Sequence, residues 1–391
     1  KYKDKNLKIS LFEKNNYFGG RFLTVKKKIK NKTYQYEAGS GRLNNNHKLM
    51  LNLINELKLD KQLQKIKKNT NIKPTKNYKL EDKFKNKNSF FYIDKVLKKA
   101  SKEKKEILIK NSFIEYAKKI LNKDEIKFML NFSGYYGELV YENAYSALKL
   151  FEKGIRNDIH YYSLKTGYSS IVEKIIKKIK SKNLYLNQEL LKIRKFYNTF
   201  LLNINGNIYQ TKHLILALPK PALVKLDYLD PYKKYLDSVL CKELCRIYSI
   251  FPDVWFKNLN KTTTNNKLRY IIPIDKKKGL IMISYTDSKY ALYWKKFLNK
   301  SGKKLNDEIL EQLNKIFKIN IKSPIYNSIC YWNCGVAFWK PKFDGEKLSK
   351  KILKLNKNDN LYIIGENYSN NQGWSEGALE TVNELLENYK F

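Results

Sequence analysis

No run of this chain approaches the roughly 18 consecutive apolar residues that a membrane-spanning helix needs, which excludes a helical membrane-spanning protein. Arginine is nearly missing. Only Arg21, Arg42, Arg156, Arg194, Arg246 and Arg269 occur, so lysine supplies 72 of the 78 basic residues. Histidine is scarcer, limited to His47, His160 and His213. No Ser/His/Asp or metal-ligand spacing links them, which removes hydrolase and metalloenzyme classes and leaves no metal expected. The opening Lys1-Tyr2-Lys3-Asp4-Lys5 has neither an initiating Met nor an apolar stretch behind it. It reads as neither a signal peptide nor a natural start, and an upstream segment is expected to be missing.

Cysteine is limited to Cys241, Cys245, Cys330 and Cys334. Their Cys-x-x-x-Cys spacing falls in the zinc range, but the surrounding text is apolar and strand-like, without Gly-rich knuckles. Reduced, partly buried thiols are the expectation, and with them a reducing, cytoplasmic compartment.

Against these shortages stand 42% hydrophobic and 14% aromatic residues, enough for a sizeable core despite a net charge of +41. At 391 residues two domains are expected. The lysines are spread along the chain, as in Lys26-Lys27-Lys28, Lys177-Lys178 and Lys276-Lys277-Lys278, instead of forming a dense arm. Together with abundant Asn they read as composition bias on a solvated surface, and nucleic acid is not the expected partner. Where Lys is so favoured, a retained Arg suggests a site that needs a planar fork of donors.

The text alternates between strand and helix periods. Leu7 to Phe12 reads as a strand, Gly19-Gly20-Arg21 as a turn before a hairpin, and Thr33 to Glu37 as a second extended piece. Asn44-Asn45-Asn46 offers caps for a helix over 47–57. Ser89-Phe90-Phe91-Tyr92-Ile93 reads as an aromatic strand, and the following sixty residues as helical. A helix over 171–179 precedes a meander from Leu184 to Leu218, with further strands at 246–251, 270–274 and 280–285. A helix over 306–317, a buried strand over 361–366 and a final helix over 377–389 complete the pattern.

Two stretches carry chemistry. Phe12-Glu13 followed by Gly19-Gly20-Arg21 places an acid at a strand end, glycines that admit a pyrophosphate, and an Arg to neutralise it. The same string also suits an ordinary strand and turn. The usual G-x-G-x-x-G would stand roughly 20 residues before that Glu, and only twelve residues precede it. At the other end, strand text runs into Gly365-Glu366, then Gly373-Trp374-Ser375-Glu376-Gly377-Ala378 and a helix. Such a helix start offers free N–H groups and positive dipole to a reduced flavin ring, or is simply a capped helix.

Together with Glu37-Ala38-Gly39-Ser40-Gly41-Arg42 and Leu214-Ile215-Leu216-Ala217-Leu218-Pro219, these strings resemble the flavin-containing amine oxidase family over residues 7–389. The Lys/Asn-rich style also resembles translations from large DNA viruses of protists. The resemblance implies an α/β fold with a discontinuous Rossmann-like FAD-binding domain (1–70, 165–230 and 345–391), its first strand and phosphate loop missing. A second, α+β substrate domain would comprise 71–164 and 231–344. By the same resemblance, FAD would be held by Glu13 at the ribose and by Gly19, Gly20 and Arg21 at the pyrophosphate. Gly39, Ser40, Gly41 and Arg42 would line the flavin, and Leu190 would meet adenine. Gly365 and Glu366 would lie near the ribityl chain, with Ser375, Gly377 and Ala378 at the ring.

The family often places a Lys near flavin N5, and the matching position here is Arg246, whose role would be electrostatic because a guanidinium does not shuttle protons. Trp374 would replace the usual Tyr of an amine cage and favour a cationic or flat substrate. Its opposite wall would come from Tyr331-Trp332 or from Phe338-Trp339; Trp339 is the candidate catalytic aromatic, and core packing is its alternative role. The implied reaction is hydride transfer from an amine-bearing carbon to FAD, with reoxidation by dioxygen, on a small-molecule substrate. The rivals are an FAD-dependent desaturase of the same fold and a non-catalytic basic binding module that has lost FAD.

Overall fold

The computed structural model describes residues 8–67, 70–155, 158–179 and 181–389. Lys1 to Leu7, and with them the start of the first expected strand, lie outside the described residues, as does Arg156.

The fold is mixed α/β. Its largest sheet is six-stranded, in the spatial order Tyr326–Trp339, Val239–Ile250, Leu280–Asp287, Tyr270–Asp275, Lys261–Thr263 and Thr70–Ile72. All its neighbours are antiparallel except the last pair, where Lys261 lies opposite Thr70 in parallel register. Two short parallel pairs, Leu11–Phe12 with Leu184–Tyr185 and Leu214–Leu216 with Leu361–Ile363, stand beside a three-stranded meander over Leu190–Thr211. The parallel pairs join chain segments far apart in sequence, and this brings the Glu13 loop and the Gly365-Glu366 turn into one body.

Residues 89–155 are a helical cluster around Phe113, Phe128, Met129 and Phe132, all essentially without exposure. It includes a correction. Ser89–Ala100 is a helix, not the aromatic strand expected at its start. The Asn88 side chain accepts from the Phe91 N–H at the helix start, and Ser89, Tyr92, Ile93, Val96 and Ala100 bury one face at helical spacing. That face, packed on the helix Lys123–Phe132, outweighs the local strand preference of the aromatics.

The cysteines are a second correction. Cys241 and Cys334 form a disulfide across the bulged pairing of Val239–Ile250 with Tyr326–Trp339, and only Cys245 and Cys330 remain free. Ninety-three residues separate the partners, and the strand register brings them together. No helix among the described residues is long and apolar enough to cross a membrane.

Candidate functional site

The two glycine-rich stretches pack directly on each other. Gly19 and Gly20 have φ of +112° and +54°, in the region where L side chains are strained, and they turn the chain after Phe12. The Ser40 N–H donates to the Arg21 carbonyl at 2.8 Å, and a Cβ on Gly39 would fall 2.0 Å from that same oxygen. Only glycine permits this approach.

Arg21 reaches across to the C-terminal stretch. It donates from Nη2 to Glu366 Oε2 at 2.6 Å and from Nη1 to the Gly335 carbonyl at 2.8 Å. Glu366 is 6% exposed, and its carboxylate also accepts from Asn367 Nδ2 at 2.8 Å and from the Gly373 N–H at 2.5 Å. Gly365, at φ +123°, has open space where a side chain would stand, and its N–H donates to Thr381 Oγ1. Thr381 in turn donates to the Ala378 carbonyl. A Cβ on Gly377 would fall 2.2 Å from Ser369 Oγ, so the loop before the helix Ser375–Asn388 lies flat on it. No side chain caps that helix, and Ser375 Oγ is buried without a hydrogen-bond partner.

Glu376 works elsewhere. Its carboxylate accepts from the N–H groups of Leu49 and Met50, each at 2.9 Å, and so caps the helix Lys48–Glu56. The asparagines expected to cap that helix do not: Asn44 Oδ1 accepts from the Asn46 N–H instead.

Glu13 and Leu190 lie together. Glu13 Oε1 accepts from the Asn15 N–H and Nδ2, and the Gln188 N–H donates to the Glu13 carbonyl. Leu190 opens the meander strand Leu190–Phe196 and, like Phe12, packs against the buried cluster that includes Ile193 and Leu202.

The second half of the site surrounds Arg42. Its guanidinium carbon lies 5.1 Å from the Tyr161 ring centroid, 5.4 Å from Trp374 and 5.9 Å from Tyr135, and Nη2 donates to Tyr135 Oη at 2.9 Å. Trp374 meets the His47 ring at 4.6 Å and, with Tyr161, helps line a small cavity of about 100 Å³ that also includes Lys153, Glu376 and Glu380. Arg246 lies close by, its Nη1 donating to the Glu37 carbonyl at 3.0 Å, its guanidinium 4.5 Å from the Tyr285 centroid and its buried Nε without an acceptor. Trp339 stands apart. It is 2% exposed, its Nε1 donates to the Ser369 carbonyl, and its ring meets Tyr368. The rings around the Arg42 guanidinium are Trp374, Tyr161 and Tyr135, and Trp339 is not among them. Trp332 donates to the Ala38 carbonyl beside the Gly39 loop.

Buried acids face this region. Burial raises Glu37 to about 7, against the Thr24 hydroxyl, the Tyr168 N–H and the Arg246 charge, which favour the carboxylate. Burial and neighbouring Asp287 raise Glu138 to about 8, with Arg42 opposing. Asp287 is itself raised to about 6 by burial, although the Gly137 and Tyr136 N–H groups donate to it. Lysine also enters the cluster: Lys261 Nζ lies 4.3 Å from the Tyr270 ring centroid. Sequence reasoning missed Lys261, Tyr135, Tyr161, Tyr285 and Glu138. One among 72 lysines carries no signal, but Gly134-Tyr135-Tyr136-Gly137 had the glycine bracketing that marks close packing.

His47 yields a prediction. Burial, followed by the positive charges of Lys153 and Arg42, lowers its pKa to about 4, and its Nδ1 accepts from the Asn44 N–H. The folded protein holds this imidazole neutral while the unfolded chain titrates near 6.5. Between those values the unfolded state binds more protons, so the contribution is present above pH 6.5 and is lost as pH falls toward 4, about 3 kcal/mol in all. Urea unfolding of His47→Gln should show a shallower loss between pH 7 and 4.5 than the parent.

The chain matches the description of flavin-containing amine oxidoreductases over residues 3–381. It belongs to that family. A double and a triple mutant of putrescine oxidase, redesigned at cofactor binding, superpose on it with TM-scores of 0.74 and 0.75 at 10% and 12% identity. The double mutant's alignment covers 98% of this chain and 93% of the other, and the triple mutant's 98% and 94%. Among curated sequences, an uncharacterized protein of Acanthamoeba polyphaga mimivirus is 31% identical over 124 residues, 28% of this chain and 24% of that protein. Aplysianin-A of Aplysia kurodai is 23% identical over 217 residues, 46% of this chain and 39% of that protein. The chain thus matches well under half the length of either curated relative. As a flavin-family chain it has FAD as its cofactor. An unpartnered buried Ser375 Oγ at an uncapped helix start, and the open space at Gly20 and Gly365, suit such a group.

Proposed function

We propose that this flavin-family chain oxidises an amine that also carries a carboxylate, an amino acid, with dioxygen as the final acceptor. The observation that carries the reading is Arg42 in the Trp374–Tyr161–Tyr135 cage. A bare amine is cationic and would meet a guanidinium already on the aromatic wall. A carboxylate would find there a planar two-donor fork. This departs from the cationic or flat substrate that Trp374 alone suggested. The polar lining of the cavity beside Trp374, which includes His47, Lys153, Glu376 and Glu380, also argues against a desaturase, which would want an apolar cavity.

In this reading 1–70, 165–230 and 345–391 would form the cofactor side and 71–164 and 231–344 the substrate side. Glu13, Gly19, Gly20 and Arg21 would hold the adenosine and pyrophosphate end with Leu190, and Gly39 to Arg42, Gly365, Glu366, Ser375, Gly377 and Ala378 the ring end. Bound FAD supplies a hydride acceptor at N5 that dioxygen can restore, giving hydrogen peroxide. Arg42 orients the substrate through its carboxylate. Arg246, locked to the Glu37 carbonyl, contributes fixed positive charge where negative charge develops. Tyr135, Tyr161 and Trp374 exclude water around the reacting carbon.

The test is anaerobic. Full-length protein loaded with FAD should bleach in its flavin bands on addition of amino acids and release peroxide on readmission of air. Bleaching by simple monoamines but not by amino acids would overturn the carboxylate assignment.

A further inference from the structure

The Cys241–Cys334 bridge lies against the clamp that joins the two glycine-rich stretches. Val239–Ile250 and Tyr326–Trp339 pair with Lys242 opposite Val336 and, after a register shift, with Leu244 opposite Trp332. Asn333, Cys334 and Gly335 thus stand against Glu243 alone, as a bulge without register partners. Gly335 lies so close to the facing strand that a Cβ on it would fall 2.1 Å from Leu244 Cβ, and its carbonyl accepts from Arg21 Nη1. On the other side, both cystine sulfurs lie 3.6 Å from Asn367 Oδ1. Asn367 is 4% exposed, accepts from the Lys220 N–H at 2.8 Å and donates to Glu366 Oε2. Two short paths therefore run from the bridge to the Arg21–Glu366 pair, one through the Gly335 carbonyl and one through the Asn367 amide.

The bridge can also be reached. Cys241 and Cys334 are both half-buried, whereas Cys245 has no exposure. Burial raises the thiol pKa of Cys245 and of Cys330, so neither is an activated thiol that would compete for the bridge. Opening the bridge turns one covalent bond into two thiols in non-bonded contact, and the sulfurs must then move apart. The ladder is disrupted at a bulge, so the displacement falls on Cys334 and Gly335 or on Asn367. Either movement reaches a group that holds Arg21 or Glu366.

We propose that the Cys241–Cys334 bridge is a redox-operated latch on the cofactor clamp, closed as cystine and loosened when a dithiol reduces it, so that FAD is then held less tightly. The reduction is ordinary exchange. A thiolate of the dithiol attacks one sulfur and forms a mixed disulfide, and its second thiol then displaces that cysteine and leaves in a cyclic disulfide. Two electrons and two protons pass from the dithiol to Cys241 and Cys334. The latch rests on the reading that Arg21 and Glu366 hold FAD.

The test uses full-length protein loaded with FAD, treated with dithiothreitol under native conditions and freed of reductant without air. Two thiols more than in the untreated protein should titrate, and the Kd for FAD should rise about tenfold. Oxidised dithiothreitol should restore both values. Linkage requires the converse: in a fixed dithiothreitol buffer the reduced-to-oxidised ratio should be about tenfold lower with FAD bound than without it. Cys241→Ser/Cys334→Ser should show the weaker Kd whether or not reductant is present. Two new thiols with an unchanged Kd, or no new thiols before the protein unfolds, overturns the latch. A loss of affinity that persists after the bridge re-forms overturns it as well. Arg21→Met separates this from the placing of FAD. If that variant binds FAD more weakly while reduction of the parent changes nothing, only the latch falls; if it binds FAD as the parent does, the clamp does not hold the cofactor and both fall.

Discussion

Replacing Arg42 by Met should lower kcat/KM for amino acids, measured per bound FAD, by about a thousandfold. A fork of charged donors to a carboxylate in a buried, ring-lined site contributes about 3–5 kcal/mol when lost from one side, because the substrate anion is then desolvated without a partner. Met keeps most of the volume between Tyr161, Trp374 and Tyr135, so the cage does not collapse. Arg42→Lys should recover part of the loss, since it restores charge but not the paired donors. Amines without a carboxylate provide the internal control. Their turnover should be unchanged or improved in Arg42→Met, because a repelling cation has gone. A uniform loss on both substrate classes would mean that Arg42 supports only the architecture.

The other large effect is expected at Glu366. This carboxylate gathers Arg21 Nη2, Asn367 Nδ2 and the Gly373 N–H, and so ties the N-terminal glycine turn to the C-terminal loop. Glu366→Gln keeps the shape but replaces one acceptor oxygen by a donor, which faces other donors. Breaking a buried pair by removing one partner costs about 3–5 kcal/mol. Arg21 here keeps about a third of its side-chain surface, so a figure of about 2–3 kcal/mol is expected after allowing for solvent. Chemical denaturation measures it, and loss of FAD on gel filtration should accompany it. In Arg21→Met/Glu366→Gln the two losses should fall short of their sum, as for any pair that shares one interaction. Strict additivity would show that the pair does not couple the two ends.

Much of the geometry proposed for the cofactor side was legible because it rests on glycines, and a glycine requirement is local. Gly39 is needed where a Cβ would strike the Arg21 carbonyl, and Gly377 where it would strike Ser369. These demands leave the same short strings wherever a chain makes that approach. The residues proposed for the substrate side left no such trace. Tyr135, Tyr161 and Lys261 come from a loop and two strand edges that have no common spacing, and an aromatic or a lysine has many other uses in a chain with 30 tyrosines. The segment after Asn88 was misread for a related reason. Phe90, Phe91 and Tyr92 favour a strand by themselves, and only the partner helix Lys123–Phe132 makes burial at helical spacing the better choice.

The sequence by itself determined the family, the cofactor and the glycine turns, since each depends on backbone that must pass close to something within a few residues. The tertiary structure alone decided the disulfide between Cys241 and Cys334, the helix at Ser89, and the placing of Arg42 inside the ring cage. Those outcomes depend on strand register and on faces packed across long sequence separations, where many pairings are chemically possible and the collective burial of the core selects one.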